Sequence, residues 1–553
     1  MKSSKRVSIG RREFIRRSGL VGAVATGSIG CHVGEEQTEE LATSLTLPDV
    51  IPPFELDETS IESLAASMLS GERTAVSITE AYLDRITQLD RQGPSLCSLI
   101  ETNPDALDIA SELDRERENG RVRSPIHGVP IVLKDNIDTA DRMATTAGSL
   151  ALSGSIPSRD AMVARRLRDA GAVLLGKSNL SEWANFRSTR SSSGWSARGG
   201  QCRNPYALDR NPCGSSSGSG VSVSANLVTV AIGTETDGSI VCPSSANGIV
   251  GIKPTVGLVS RAGIIPISAS QDTAGPMART VRDAVLVLGA VAGPDAEDAL
   301  TRVQQSSPRN DFTSFLDEDG LNGARIGIPT NSAGFHAGVE GLMDDAIALM
   351  EERGATIIHP VDLRTSAALR RAEAEVMYYE FKAGLNAYLR SHEGALIKSL
   401  ADLIDFNETH AAEEMPYFGQ ERLVEAQRRG PLSDERYQEA RMTARRLAGE
   451  QGIDRLMDAE MLDAIVAPTG GPAWVTDLVN GDHFGGGSAT FAAVAGYPNI
   501  SVPAGFVHGL PVGLSFFGRA WSEPTLIRIA YAFEQATAHR RPPTFIPTVD
   551  FTG

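Results

Sequence analysis

The alternation of short apolar runs with helical stretches between residues 125 and 300 is the feature that most limits the possible fold. Residues 161–170 show helical spacing, and apolar runs with the length of buried strands occur at residues 131–133, 173–175 and 227–232. Strands that alternate with helices favour a sheet with helices packed against it. The order therefore predicts a layered α/β core. Strand-like runs return at residues 464–467 and 500–502, after a charged, helix-rich segment at 340–460.

Three polar segments adjoin these runs and contain two serines and a lysine of interest. The run at 227–232 leads into a turn, residues 233–243, that contains Ser239. A glycine- and serine-rich cluster with Ser215 precedes that run, and Lys134 directly follows the run at 131–133. A serine hydroxyl is a weak nucleophile unless a base takes its proton, and a lysine can act as that base where burial keeps it neutral. The segments predict nucleophilic catalysis by serine.

Together these segments resemble the amidase signature family, and most closely its bacterial peptide amidase subgroup. The resemblance runs from about residue 55 to about residue 545, and further matching segments lie in order at residues 133–138, 181–186, 194–200, 251–259, 271–279, 493–498 and 509–514. It implies the α/β fold of that family, a large mixed central β-sheet covered by helices on both faces. The expected organisation is one amidase domain at 55–545, followed by a short tail at 546–553.

The resemblance also assigns roles to the three polar segments. It implies a Ser-cisSer-Lys mechanism in which Ser239 is the nucleophile, Lys134 is the base, and Ser215 bridges them after a non-proline cis peptide bond. The oxyanion hole is expected to be formed by the backbone N–H groups of Thr236, Asp237, Gly238 and Ser239. No metal and no organic cofactor are implied.

Two residues of the Ser239 turn depart from the pattern of many family members. Asp237 stands where glycine is common, and Val241 stands where arginine is common. The peptide amidase subgroup shares both departures. Asp237 is either an acid that contacts substrate or simply a turn residue, and the sequence leaves both interpretations open.

The expected reaction is hydrolysis of carboxamide C–N bonds, above all the C-terminal amides of peptides, with release of ammonia. An aryl or small aliphatic amide substrate is the first alternative, and an amidotransferase component that passes ammonia to a partner is the second. A non-enzymatic exported binding protein is the third, and would be expected to have lost Lys134, Ser215 or Ser239. The formal net charge of −17 argues against nucleic acid as a partner. The oligomeric state is left open.

Two other motifs imitate known sites. Residues 171–178 fit the phosphate-binding P-loop pattern, but the apolar stretch after Gly171 predicts the strand itself rather than a polar loop. Residues 214–218 fit the nucleophile elbow of α/β-hydrolases, with Ser216 at its centre. A triad would then need Asp463 with His483 or His508, and none of these lies in a supporting context.

The N-terminus resembles a twin-arginine export signal. Arg11 and Arg12 precede an uncharged, glycine-rich segment at residues 18–30, which predicts a signal segment at 1–31 and an acidic linker at 32–54. Residues 23–25 fit a signal peptidase site, whereas Cys31 would end a lipoprotein box. The expected location is therefore periplasmic, or membrane-anchored by lipid on Cys31. A solvated basic tail on a cytosolic chain is the alternative.

Smaller features complete the expectations. Cys213 and Cys242 flank the two serine segments and are interpreted as buried small residues rather than redox groups. Aromatic residues at 378–381 and 416–418 either shape a substrate funnel or belong to the core. Possible capping boxes predict two early helices, with the polar pairs Thr59 and Glu62, and Ser77 and Glu80, at their starts.

Overall fold

One mixed sheet organises the whole molecule. The computed structural model describes residues 51–304, 310–363, 367–392 and 395–551, which belong to one folded unit. The predicted signal segment, Cys31 and most of the predicted linker lie outside these residues. The strands are β1 Leu99–Thr102, β2 Pro130–Lys134, β3 Val173–Ser178, β4 Trp195–Ser196, β5 Gly200–Gln201, β6 Val230–Glu235, β7 Val250–Lys253, β8 Thr273–Ala278, β9 Arg325–Pro329, β10 Thr356–Val361, β11 Ala464–Pro468, β12 Asn499–Val507 and β13 Leu510–Phe517.

The order of the strands confirms the predicted mixed sheet. An 11-stranded sheet runs β1-β3-β2-β6-β8-β7-β12-β13-β11-β9-β10, and β4 and β5 form a separate hairpin. Strand β2 is parallel to both β3 and β6, whereas β8 is antiparallel to β6. The predicted runs at 131–133, 173–175, 464–467 and 500–502 all lie within strands, and the run at 227–232 enters β6 at its fourth residue.

The central strands are covered on both faces, as the fold class predicts. Every residue of β2, β3, β6 and β8 is buried. Because successive side chains of a strand point to opposite faces, a strand that is buried throughout has layers packed on both sides. The site residues on and beside these strands are therefore shielded from solvent.

Helices occupy both the sheet faces and a long segment between β10 and β11. They are α1 Ile61–Ser70, α2 Ala75–Ile86, α3 Ala106–Glu118, α4 Met162–Asp169, α5 Ser217–Ser224, α6 Val241–Ala246, α7 Val281–Val291, α8 Ala337–Glu352, α9 Ala367–Ser391, α10 Leu400–Thr409, α11 Ala411–Glu414, α12 Glu421–Gln427, α13 Glu435–Arg445, α14 Arg455–Glu460, α15 Ala489–Ala495 and α16 Glu523–Thr537. The predicted helix at 161–170 corresponds to α4. Over the described residues, no helix has the length and apolar character needed to cross a membrane.

Both predicted capping boxes are displaced from the helix starts that the structure shows. Ser60, not Thr59, caps α1, and its hydroxyl accepts a hydrogen bond from the Ser63 N–H at 3.1 Å. Thr74 caps α2, and Ser77 is its reciprocal partner three residues later, not the cap itself. The Thr74 N–H donates to Ser77 Oγ at 2.9 Å. A serine satisfies either position of the box, so the polar pattern alone did not determine which residue is the cap.

A buried arginine joins the helical segment to the sheet domain. The Arg187 side chain is fully buried and ion-pairs with Glu182 and, at 3.7 Å, with Glu414 of α11. Glu414 Oε1 also accepts hydrogen bonds from Ser149 Oγ at 3.0 Å and from the Leu150 N–H at 2.7 Å. Removal of one partner from a buried ion pair leaves an uncompensated charge, which costs far more than an exposed pair contributes.

We expect Glu414→Ala to lower the free energy of unfolding by about 3 kcal/mol, because Arg187 stays buried but loses one carboxylate. Urea unfolding measures the difference. Glu413, the residue before Glu414, is exposed and supplies the matched control. Glu413→Ala should change the free energy of unfolding by no more than about 0.5 kcal/mol. Equal effects of the two substitutions would contradict a structural role for the buried pair.

Candidate active site

Lys134 lies at the end of β2 with its amine among neutral oxygens. The side chain is fully buried, and Nζ lies 2.8 Å from Ser215 Oγ, 3.2 Å from Thr234 O and 3.0 Å from Thr234 Oγ1. A neutral amine has two N–H donors and one lone pair. Donation to the two Thr234 oxygens uses both donors, so the lone pair is left to face the Ser215 hydroxyl.

Burial explains why this amine can be neutral. Loss of hydration lowers the pKa of Lys134 to about 7, against weaker opposing effects of Asp272 and Glu235. The apolar run before Lys134 predicted this burial. An amine with such a pKa is available as a base near neutral pH.

Ser215 is placed by the chain on both sides of it. The Gly214–Ser215 peptide bond is cis, as the family resemblance implied, and Ser215 is fully buried at the start of the segment that enters α5. Its carbonyl accepts a hydrogen bond from the Ser181 N–H at 3.1 Å. A Cβ atom at Gly214 would stand 2.2 Å from Ser181 Oγ, so glycine alone fits beside Ser181.

Ser239 lies in the turn between β6 and α6, where it is the most accessible of the three predicted catalytic residues. Ser239 is 8% exposed, whereas Lys134 and Ser215 are 0% exposed. Its carbonyl accepts from the Ser216 N–H at 3.2 Å, which ties the two serine segments together. Within the described residues no hydrogen bond joins the Ser215 and Ser239 hydroxyls. The structure thus brings Lys134 and Ser215 into contact and holds the Ser239 segment beside them.

The turn around Ser239 presents free backbone donors. The N–H groups of Thr236, Asp237, Gly238 and Ser239 have no acceptor in the described part of the chain. The next two N–H groups are occupied instead, because Glu235 Oε2 accepts from Ile240 at 2.8 Å and from Val241 at 3.1 Å. Gly238 has φ +79°, a conformation that favours glycine. The turn thus leaves free the four N–H donors that the predicted oxyanion hole needs.

Several further side chains form hydrogen bonds with Thr236 and Asp237 of this turn. Most of these partners were not predicted from the sequence. Thr236 Oγ1 donates to Asp272 at 2.6 Å, and Gln271 Nε2 donates to Thr236 O at 3.3 Å. The Glu373 carboxyl of α9 hydrogen-bonds the Asp237 side chain, which also accepts from Thr490 Oγ1 of α15 at 2.9 Å. Residues 271 and 272 lie in a segment that matched the family. Nothing in the sequence marked Glu373 or Thr490.

A disulfide also joins the two serine segments. Cys213 and Cys242 are buried, as predicted, but they are bonded to each other, with Cα atoms 5.9 Å apart. The interpretation of the pair as simple buried residues was therefore wrong. The sequence did offer one signal for this disulfide, because each cysteine lies beside a segment that carries a site residue. No spacing motif marked them, because their approach depends on how α5 and α6 pack.

A cavity of about 260 Å³ opens beside the turn. Its lining includes Gly214, Asp237 and Gly238 of the two serine segments, together with Asp482, Trp474 and Phe484. None of its described lining residues is Lys, Arg or His. The aromatic residues at 378–381 and 416–418 do not line it. Tyr379, Phe381 and Phe418 are buried core residues, while Tyr417 is exposed.

The competing motifs do not form sites. Lys177 of the P-loop-like segment is buried in β3 and donates to Ile137 O and Thr145 Oγ1, so the segment is a strand. Ser216 Oγ is bonded to Thr234 O at 3.0 Å. The His483 side chain is 66% exposed beside Asp477, and His508 contacts Phe551. Over the described residues no group of three or more His, Cys, Asp and Glu side chains is arranged to hold a metal.

The sequence and the fold are similar to those of known proteins. The family model Amidase matches residues 77–527. A native peptide amidase of Stenotrophomonas maltophilia, a solved structure, is 56% identical with a TM-score of 0.86, and the match covers 89% of this chain and 100% of that one. A probable amidase of Arabidopsis thaliana is 43% identical, covering 89% of this chain and 93% of that protein. A glutamyl-tRNA(Gln) amidotransferase chain of Symbiobacterium thermophilum is 36% identical, covering 85% of this chain and 95% of that protein.

Substitutions at Lys134 separate a proton-accepting role from a purely electrostatic one. Ser239→Ala and Lys134→Ala should each reduce amide hydrolysis by at least about 10³-fold. Lys134→Arg should not restore it, because arginine keeps the charge but does not deprotonate. Ser215→Ala should leave the fold intact and slow both formation and hydrolysis of the acyl-enzyme, which pre-steady-state kinetics can measure.

Two measurements check this assignment further. The kcat/KM of the unaltered enzyme should rise with pH through about 7 and then level off, since the base acts only when deprotonated. His483→Ala and His508→Ala serve as controls and should change kcat/KM by less than about twofold. A large loss in either histidine variant, with Lys134→Ala still active, would overturn the assignment.

Proposed function

The chain belongs to the amidase signature family of amide hydrolases, and we propose that its substrates are the C-terminal amides of peptides. The observation that carries the proposal is the 56% identity to the Stenotrophomonas peptide amidase, which spans that chain completely. The cavity beside Ser239 supports it, since its volume of about 260 Å³ is larger than a simple aliphatic amide needs and open enough for the end of a peptide.

We propose that the reaction follows a Ser-cisSer-Lys mechanism. Neutral Lys134 accepts the Ser215 proton while Ser215 accepts the proton of Ser239, whose oxygen attacks the carboxamide carbon. The free N–H groups from Thr236 to Ser239 hold the resulting oxyanion. Ser215 then protonates the departing nitrogen and recovers a proton from Lys134, and ammonia leaves an acyl-enzyme on Ser239. Water hydrolyses this ester through the same groups in reverse, which restores the enzyme and releases the acid.

Two observations support this sequence of proton transfers. The Lys134 amine already contacts Ser215 at 2.8 Å, and its two other partners are both oxygens of Thr234, so no carboxylate of the described residues bonds to it and holds it charged. The Ser216 N–H donates to Ser239 O, which holds the nucleophile segment against the Ser215 segment.

A mixed library of peptide amides provides the direct test of substrate class. Each C-terminal amide should become the free acid with release of ammonia, and internal peptide bonds should remain intact. Mass spectrometry detects the replacement of NH2 by OH, and Ser239→Ala protein gives the background. Cleavage of internal bonds, or hydrolysis of small amides without any of peptide amides, would refute the proposal.

The proposal extends to export through the twin-arginine pathway. Arg11 and Arg12 precede an uncharged segment in the N-terminal sequence. The Cys213–Cys242 disulfide supports an oxidising location, because structural disulfides form and persist mainly outside the cytosol. Export would leave the mature protein either free in the periplasm or held at the membrane by lipid on Cys31.

Replacement of Arg11 and Arg12 together by lysine should leave uncleaved precursor in the cytoplasm, since the export machinery reads the arginine pair. Fractionation followed by immunoblotting measures the distribution. Metabolic labelling with a fatty acid, compared between the unaltered chain and Cys31→Ser, determines whether the protein is anchored. Unchanged export of the double variant would exclude this signal.

A further inference from the structure

The cavity beside Ser239 offers hydrogen-bond acceptors that the mechanism does not use. Asp237 lines the cavity, and the proposed mechanism uses only its backbone N–H and not its carboxylate. Asn185 also lines it, and Asn185 Oδ1 is buried without a hydrogen-bond partner among the described residues. A buried acceptor without a donor is costly unless a ligand supplies one.

The orientation of Asn185 follows from its neighbours. Ser193 Oγ donates its single proton to Asp482 Oδ2 at 2.5 Å. Ser193 can therefore only accept from Asn185, whose Nδ2 lies 3.1 Å away. This assigns the NH2 group of Asn185 to Ser193 and leaves Asn185 Oδ1 as the acceptor.

The Asp237 side chain is held in place by two donors from different helices. Thr490 Oγ1 of α15 donates to Asp237 Oδ2 at 2.9 Å, and the Glu373 carboxyl of α9 forms the second hydrogen bond. Two carboxyl groups bond to each other only when one of them carries a proton. Burial, with the adjacent Asp237, raises the pKa of Glu373 well above its usual range. Burial also raises the pKa of Asp237, but the hydrogen bonds from Thr490 and Glu373 oppose that rise, so Glu373 is assigned as the donor and Asp237 as the acceptor.

The cavity is lined by acidic side chains as well as by neutral hydrogen-bond acceptors. Asp482 is the other acid of the lining, but it is already bonded to the Ser193 N–H, Ser193 Oγ and Trp474 Nε1. The buried cation Lys253 is directed elsewhere, since it donates to Tyr497 O and Ala492 O. A substrate that enters therefore meets acceptors and negative charge, with donors supplied by the Ser239 turn.

We propose that the Asp237 carboxylate determines specificity by accepting a hydrogen bond from a substrate N–H and by repelling carboxylates at the C-terminal residue. Glu373 is a positioning residue that donates to Asp237 and keeps it directed at the cavity. This inference rests on the proposed function. The acid product would bring a second negative charge to Asp237, so we expect it to bind more weakly than the peptide amide.

Isosteric substrates test the proposal. N-acetylated peptide amides that end in glutamine or glutamate have nearly the same shape and differ in charge. The unaltered enzyme should hydrolyse the glutamine peptide with a kcat/KM at least about tenfold higher. Asp237→Asn should bring this ratio close to one and should raise KM for the glutamine peptide more than it lowers kcat. The product acid should inhibit this variant more strongly than it inhibits the unaltered enzyme.

Two further variants keep the test decisive. Asp237→Gly introduces the residue that is common in the family and should lose the preference for the glutamine peptide in the same way. It provides the test if the Asp237→Asn protein does not fold. Glu373→Gln retains a donor to Asp237 and should keep the glutamine preference, whereas Glu373→Leu should weaken it. The exposed acid Glu408 supplies a charge-matched control, since Glu408→Gln should leave the ratio as it is.

The outcomes distinguish this inference from the proposed function. Hydrolysis of both peptides at equal rates by the unaltered enzyme would overturn the role of Asp237 while peptide amidase activity stands. A preference that survives in both Asp237 variants would also overturn it. Hydrolysis of neither peptide would remove the proposed function, and the inference with it.

Discussion

The candidate site depends above all on the exclusion of water from one amine, that of Lys134. The pKa of Lys134 falls to about 7 because its side chain is fully buried, and that burial requires layers on both faces of β2. A lysine at the edge of a sheet would keep its hydration and its proton. The central position of β2, between β3 and β6, is therefore a chemical requirement as well as an architectural one.

Burial of the amine demands that its surroundings be polar but not charged. Thr234 meets this need, because its two oxygens accept from Lys134 without adding a negative charge that would hold the proton. The same strand, β6, continues into the Ser239 turn, so one element supplies both the oxygens bound to Lys134 and the segment that carries Ser239. Glu235 Oε2 accepts hydrogen bonds from the N–H groups of Ile240 and Val241. The N–H groups of the four residues before Ile240 have no acceptor among the described residues.

The helical segment between β10 and β11 completes the site. Through Glu414 it joins Arg187, and through Glu373 it reaches the Asp237 side chain. Substitution of glycine by aspartate in the turn would place an unsupported charge beside the oxyanion hole. Here Glu373 and Thr490 bond that carboxylate, so the aspartate does not stand unsupported in the turn.

Local sequence was enough to predict the layered α/β core and the burial of Lys134, because both follow from apolar periodicity over a few residues. The family resemblance supplied the roles of Ser215 and Ser239 and the cis bond at Ser215. The helix caps were displaced by one and three residues, since serine and threonine satisfy more than one position of a capping box. Only the tertiary structure revealed the Cys213–Cys242 bond and the contacts of Asp237 with Glu373 and Thr490. Those partners lie on helices whose approach is decided by the order of strands and the packing of layers, and no short-range pattern encodes that approach.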